Sequence, residues 1–191
     1  MAHYELFKMA LELPGVMIEC GVFKGASLSR LTAFRALFGG SQSRKIVAFD
    51  TFGFFPEANF PDDTNARQQF VNAAGSQSVS AQELTELLKR KGAAEQIELV
   101  AGNILETVPT YLNNNPQLKI SLLNLDTDLF EPAVVILENF WQRLVPGGIL
   151  ILDDYGVFPG ETKAVDDFFK DKPVQIQKLP FSLTPCFIRK T

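Results

Sequence analysis

Asp126 and Asp128 close the apolar run LLNLDTDLFEP (122–132), and Asp153 and Asp154 close ILDDYG (151–156). An apolar strand that finishes in charge needs a reason. In a parallel sheet ordered 3-2-1-4-5 the fourth and fifth strands are neighbours, about 4.8 Å apart, so Asp126, Asp153 and Asp154 meet at one rim. Two like charges roughly 4 Å apart repel by about 4 kcal/mol at an effective dielectric of about 20. Three carboxylates together therefore require protonation, a basic partner or a metal ion, and the flanking sequence supplies no arginine or lysine. An all-oxygen cluster with room for water suits Mg²⁺, with Mn²⁺ or Ca²⁺ as alternatives. The competing reading is helix capping, as Asp128 could provide for the helix entering at Glu131-Pro132. Capping accounts for one aspartate more readily than for four on the ligand-binding side of an open α/β sheet.

A second group of residues lies at the first strand. IECGVFKGAS (18–27) places Glu19, Gly21 and Gly25 between a strand and a helix. Glycines there allow a sharp turn or the close approach of a ligand. The spacing is not the G-x-G-x-x-G of dinucleotide sites, where a helix N-terminus meets a pyrophosphate. An acid in that first turn suits a cationic or amino group, and Lys24 is the only charge there that would welcome a phosphate. Asp50 ends the second strand 29 residues after Gly21, where doubly wound folds hydrogen-bond a ribose. A nucleoside with an amino-acid tail and no phosphate is S-adenosylmethionine. Thr51 and Phe52, directly after Asp50, join the expected cofactor residues. Gly102 and Asn103 would border the adenine, or form an ordinary turn.

These residues need a scaffold, and the pattern of apolar runs provides one. VMIEC (16–20), KIVAFD (45–50), IELVAG (97–102), KISLLNLD (119–126) and GILILDD (148–154) read as strands buried on both faces. Between them, 26–38 reads as a helix with Leu28, Leu31, Phe34 and Leu37 or Phe38 near one face, stopped by Gly39-Gly40. Residues 80–92 carry Ser80 and Glu83 in capping-box spacing and end on Gly92. Residues 131–148 form a helix that Pro146-Gly147-Gly148 ends. Residues 173–180 and 186–191 lie too close together for a crossover, so they pair as an antiparallel hairpin. The fold class is therefore α/β: a doubly wound, mostly parallel, Rossmann-like sheet of the seven-stranded type with an antiparallel C-terminal hairpin. One domain over 1–191 is expected. The long stretch 51–79 contains a short helix near 66–72. Its Phe52, Phe54, Phe55 and Phe60 are either core or a cover over the cofactor.

Composition excludes several classes. The chain of 191 residues is 46% hydrophobic with 18 basic and 22 acidic residues, a net charge of −4, which argues against a nucleic-acid partner. No run approaches the roughly 18 apolar residues of a membrane span. The first residues read as a short amphipathic helix rather than a signal peptide, giving a cytoplasmic expectation. On that helix Phe7, Met9 and Leu11 face either their own domain or a partner chain, with a homodimer as one arrangement. Cys20 and Cys186, both in apolar segments, suit buried thiols. With His3 as the only histidine, at the extreme amino terminus, neither a zinc site nor a histidine base is expected.

Taken together, IECGVFKGAS, FDTF, LDTDLFEP and ILDDYG followed by GETKAVDDFF resemble the macrocin O-methyltransferase (TylF-type) family over about residues 15–170. The resemblance implies a class I methyltransferase fold and transfer of a methyl group from S-adenosylmethionine to a sugar or natural-product hydroxyl, with a divalent cation. It implies Asp126, Asp153 and Asp154 as metal ligands and Asp128 as general base. Glu19, Gly21, Ser27 and Asp50 fall on the cofactor side. Phe130 stands where the motif often has tyrosine, and Gly53 where the family often has glutamate, so the acceptor is the part least specified. Competing classes are a catechol-type O-methyltransferase, against which Tyr155 counts, a nicotinamide-dependent oxidoreductase, and a non-catalytic nucleoside-binding module.

Overall fold

Residues 1–40 and 42–191 are described by a computed structural model. Seven strands form one sheet: β1 (Val16–Cys20), β2 (Ile46–Asp50), β3 (Ile97–Ala101), β4 (Ile120–Leu125), β5 (Leu144–Leu152), β6 (Gln177–Lys178) and β7 (Cys186–Arg189). Their order is β3-β2-β1-β4-β5-β7-β6. β1 to β5 run parallel, and β7 pairs antiparallel with both β5 and β6. The order reverses at β1, whose neighbours are β2 and β4. Ligands of open α/β sheets sit beyond the carboxyl ends of the strands at such a switch point.

The helices are α1 (Ala2–Met9), α2 (Ala26–Gly39), α3 (Asp63–Ala74), α4 (Ala81–Arg90), α5 (Ile104–Asn114), α6 (Phe130–Phe140) and α7 (Pro159–Phe169). They cover both faces of the sheet, so β1, β2 and β4 are almost wholly buried. One core gathers Phe49, Leu123, Leu150, Ile136 and Phe140 under α5, α6 and α7. The other gathers Met17, Ala48, Leu122 and Ile149 with Leu6, Phe7, Leu28 and Leu84. Helix α1 packs on its own domain: Phe7 is buried, Leu11 is partly buried, and Met9 remains exposed. No helix among the described residues is long and apolar enough to cross a membrane.

Several elements differ from the sequence reading. β3 is an edge strand and only half-buried, not buried on both faces. Helix α6 ends at Phe140, a 3-10 turn spans Trp141–Arg143, and Val145-Pro146-Gly147-Gly148 lies inside β5 rather than ending a helix. Gly147 takes φ +80° there, and its N–H donates to the Lys190 carbonyl (2.7 Å), which fixes the strand against the C-terminal segment. In α2 the inward face continues from Leu31 to Thr32 and Arg35, leaving Leu37 exposed. The Arg35 guanidinium is held by the carbonyls of Arg44 (2.9 Å) and Ala93 (3.2 Å), an arrangement that apolar periodicity does not reveal. The helix in the long stretch runs from Asp63 to Ala74, longer than expected, and α5 and α7 enter as additional helices. The C-terminal hairpin forms, though its first strand is only two residues long. The Ser80–Glu83 capping box is present with both reciprocal bonds.

Candidate active site

A cavity of about 690 Å³ opens at the carboxyl ends of β1, β2 and β4. Gly21, Ser27, Asp50, Thr51, Asn103, Asp126, Asp128, Asp153 and Asp154 all line it. Glu19 stands behind this wall, fully buried, and accepts a hydrogen bond from the Ser27 hydroxyl. Its second oxygen has no protein partner. Burial pushes the Glu19 carboxyl up to about 8, against the opposing pull of the Ser27 bond. A buried acid with a free oxygen is chemically matched to an ammonium group.

The glycines bring two loops into contact. Gly21 adopts φ +92°, and a side chain there would overlap the carbonyl of Asp126, so the loop after β1 lies directly on the loop after β4. Gly25 adopts φ +77° and opens α2. Asp50 braces the same region: one oxygen accepts from the amides of Val22 (2.8 Å) and Phe23 (3.0 Å), the other from Phe52 (2.7 Å). The acid expected to meet a ribose thus also holds the backbone around it. Gly102 adopts φ +136° and donates to the Asp50 carbonyl (3.0 Å), while Asn103 caps α5 by accepting from Leu105 (3.0 Å).

The four aspartates converge as their positions on β4 and β5 require. Leu125 pairs with Leu152, which sets Asp126 beside Asp153, and the Asp153 amide donates to the Leu125 carbonyl (3.0 Å). Burial, followed by the charge of Asp153, raises Asp126 well above the ordinary carboxylate range. Burial and then the charge of Asp154 do the same to Asp128. Asp154 is pushed up to about 6, mainly by burial. Asp128 and Asp154 act on each other in opposite senses: Asp154 raises Asp128, while Asp128 holds Asp154 down against its burial. Asp128 also sits at φ +62°, and Leu129 N–H closes a tight turn on the Thr127 carbonyl (2.6 Å). Such strain in a non-glycine residue is concentrated at functional sites.

Sequence reasoning sets aside His3 and passes over Glu161 and Asp63. His3 lines the cavity, its Nε2 3.0 Å from Asp153 Oδ1 but without hydrogen-bond alignment. The sequence reading sets His3 aside as a base without placing it; in the structure α1 brings it to the acid rim. Glu161 in α7 is fully buried and accepts from the Asp154 amide (3.0 Å). Asp63 is also fully buried, at the start of α3. Only Glu161 had a sequence signal, as an acid two residues into α7 behind Pro159.

The donor set was compared with what a divalent cation needs. Asp153 Oδ1, 3.0 Å from His3 Nε2, and Asp154 Oδ2 are buried without an aligned hydrogen bond, and burial followed by mutual repulsion raises Asp126 beside them. That charge and those free oxygens fit a hard cation. Among the described residues, however, no three such side chains close into a ligand-like set.

A doubly wound sheet ordered β3-β2-β1-β4-β5 with an antiparallel strand next to β5 is the architecture of class I methyltransferases. The calicheamicin methyltransferase CalS11 has a TM-score of 0.82 and 30% identity, covering 98% of this chain and 76% of that one. The O-methyltransferase NovP shares the fold with a TM-score of 0.82 at 19% identity, over 99% of this chain and 79% of that one. The sequence profile described as macrocin O-methyltransferase (TylF) matches residues 8–189, and the chain belongs to that family. A tetracenomycin-C 4'-O-methyltransferase of Streptomyces olivaceus is 29% identical over 147 residues, 76% of this chain and 54% of its own. The mycinamicin III 3''-O-methyltransferase of Micromonospora griseorubida is 25% identical over 160 residues, 82% of this chain and 61% of its own. The chain spans a little over half the length of these curated relatives.

Proposed function

We propose that the protein transfers a methyl group from S-adenosylmethionine to a hydroxyl of a sugar or other small natural product, assisted by a divalent cation. The observation that carries this reading is the convergence, in one cleft, of a buried acid behind the β1 loop and an acid rim at the ends of β4 and β5. When bound, the donor supplies a sulfonium methyl, and the cation supplies charge that lowers the acceptor hydroxyl's pKa. Glu19 and Ser27 hold the donor's amino group, while Asp50 with Thr51 and Phe52 shapes the ribose edge. Gly102 and Asn103 border the base, and Gly21 and Gly25 permit close approach. Asp126, Asp153 and Asp154 would hold the cation. Asp128 accepts the hydroxyl proton at its carboxylate. Burial, and then the charge of Asp154, raises it above an ordinary carboxylate, the direction that favours taking up a proton. Phe55, Phe70 and Phe158 shield the cleft from water on the acceptor side.

The relative named as a 4'-O-methyltransferase of a rhamnosyl-tetracenomycin C supports a glycoside acceptor. Two free cysteines suit a cytoplasmic setting. Calorimetric titration with S-adenosylhomocysteine and with NAD tests the cofactor: binding of the first alone is expected, and binding of NAD alone overturns the proposal. Methyl transfer assayed with and without chelator tests the cation, and full activity in chelator removes it from the reaction.

A further inference from the structure

Asp63, the first residue of α3, makes contacts that the acid rim does not need. Its Oδ2 accepts from the Phe130 amide at 2.9 Å and its Oδ1 from the Gly160 amide at 2.7 Å. Phe130 is the first residue of α6 and Gly160 the second of α7. One carboxylate therefore takes an otherwise unpaired N–H from each of two helix N-termini. Those helices begin where the two aspartate loops end. Asp128 lies two residues before Phe130, and Asp154 lies six residues before Gly160.

The surroundings are built for this bridge. A side chain at Gly160 would overlap both Asp63 Oδ2 and the Phe130 amide, so only glycine lets the carboxylate reach both donors. Phe60 stacks on Phe130 with ring centroids 4.9 Å apart, and Phe70 meets Phe158 edge-on at 6.1 Å. The stretch 51–79 is thereby tied by rings and by Asp63 to the far side of the cleft. A further link joins the aspartate loops to each other: Glu161 N–H donates to the Asp128 carbonyl (3.2 Å) while its carboxylate accepts from the Asp154 amide (3.0 Å).

We propose that Asp63 is a positioning residue that latches the 51–79 cover onto both aspartate loops, so that seating the cover and spacing Asp128 from Asp153 and Asp154 are one event. Its consequence for turnover rests on the methyl-transfer reading; the latch itself does not, and it is measured without substrate. In Asp63→Asn one acceptor oxygen becomes an N–H donor facing a backbone N–H, so one of the two links is lost. Gly160→Ala displaces the same carboxylate without changing its charge, and serves where Asp63→Asn fails to fold.

Amide hydrogen exchange read by mass spectrometry on the free protein decides the coupling. In either variant residues 63–74, 126–131 and 154–161 are expected to exchange faster together, by about tenfold or more, for loss of a buried hydrogen bond to a charged group. Residues 16–20 and 46–50 should stay within about twofold. Loosening of 63–74 alone, or of none of the three, overturns the proposal. In turnover, kcat should fall about tenfold while S-adenosylhomocysteine affinity stays within about twofold, because the donor side is built at the ends of β1, β2 and β3, away from the N-termini of α6 and α7. Ser80→Ala weakens an exposed cap nearby and should leave kcat unchanged. Equal losses of kcat and affinity in Asp63→Asn, or a comparable kcat loss in Ser80→Ala, would reduce Asp63 to a general stabiliser. Absence of methyl transfer by the unaltered protein would defeat the function reading while the exchange result still decides the latch.

Discussion

Replacing Glu19 by Gln should move stability and cofactor affinity in opposite directions. The Glu19 carboxyl is raised from 4.5 to about 8 by burial. At 1.36 kcal/mol per pH unit, ionising it in the free protein costs about 5 kcal/mol relative to the unfolded chain, an upper figure before the site relaxes. The folded state holds this proton more tightly than the unfolded state. The contribution of Glu19 is therefore undiminished below pH about 4.5, falls as pH rises, and is lost above pH about 8. Gln cannot ionise and still accepts from Ser27, so the variant escapes that loss. Urea unfolding should show wild type and Glu19→Gln nearly equal at about pH 4, with the variant more stable by several kcal/mol at about pH 8.5. Calorimetry at about pH 8.5, where Glu19 is ionised, should show the reverse for function: the donor's ammonium loses a charged partner worth about 1.5 to 3 kcal/mol, so S-adenosylhomocysteine binds about 10- to 100-fold more weakly. Equal stability at both pH values would show that Glu19 is not a buried acid. Unchanged affinity would show that it does not face the cofactor.

Asp128→Asn should lower turnover by about 100-fold or more while S-adenosylhomocysteine affinity changes less than about twofold; near-normal turnover would move the base role elsewhere. Gly21→Ala places a side chain at φ +92° against the Asp126 carbonyl. Left-handed strain of about 1–2 kcal/mol and overpacking of about 1–3 kcal/mol should lower the urea midpoint correspondingly, and an unshifted midpoint would show that the two loops are not packed together. Ser80→Ala should cost about 1 kcal/mol in the same assay, since it removes one side of the capping box at α4.

The parallel strands were legible because each is a short apolar run, and the sheet order placed Asp126 beside Asp153 once β4 and β5 were neighbours. Gly21 and Asp50 were legible for the same reason: they end strands. What the sequence hid is set by tertiary contact. His3 reaches the rim only because Leu6 and Phe7 seat α1 in the core across the sheet. Asp63 reads as one acid among three in PDDT and its neighbours, and its burial depends on amides 67 and 97 residues away. The misplaced end of α6 has a local cause: Pro146-Gly147-Gly148 looks like a helix stop, yet the helix had already ended and the glycines shape the entry to β5. β3 looked buried on both faces because its apolar content resembles that of β1, but the edge position that the 3-2-1-4-5 order gives it leaves it only half-buried.

The most direct measurement is transfer of isotopically labelled methyl from S-adenosylmethionine, with Mg²⁺ present, to a panel of hydroxylated glycosides, followed by location of the label in the product. Label in an ether oxygen of a glycoside, and its loss in Asp128→Asn, is the expected result. A protein that binds S-adenosylhomocysteine but labels no hydroxyl in the panel, or labels nitrogen or carbon instead, would contradict the assignment of this cleft to hydroxyl methylation.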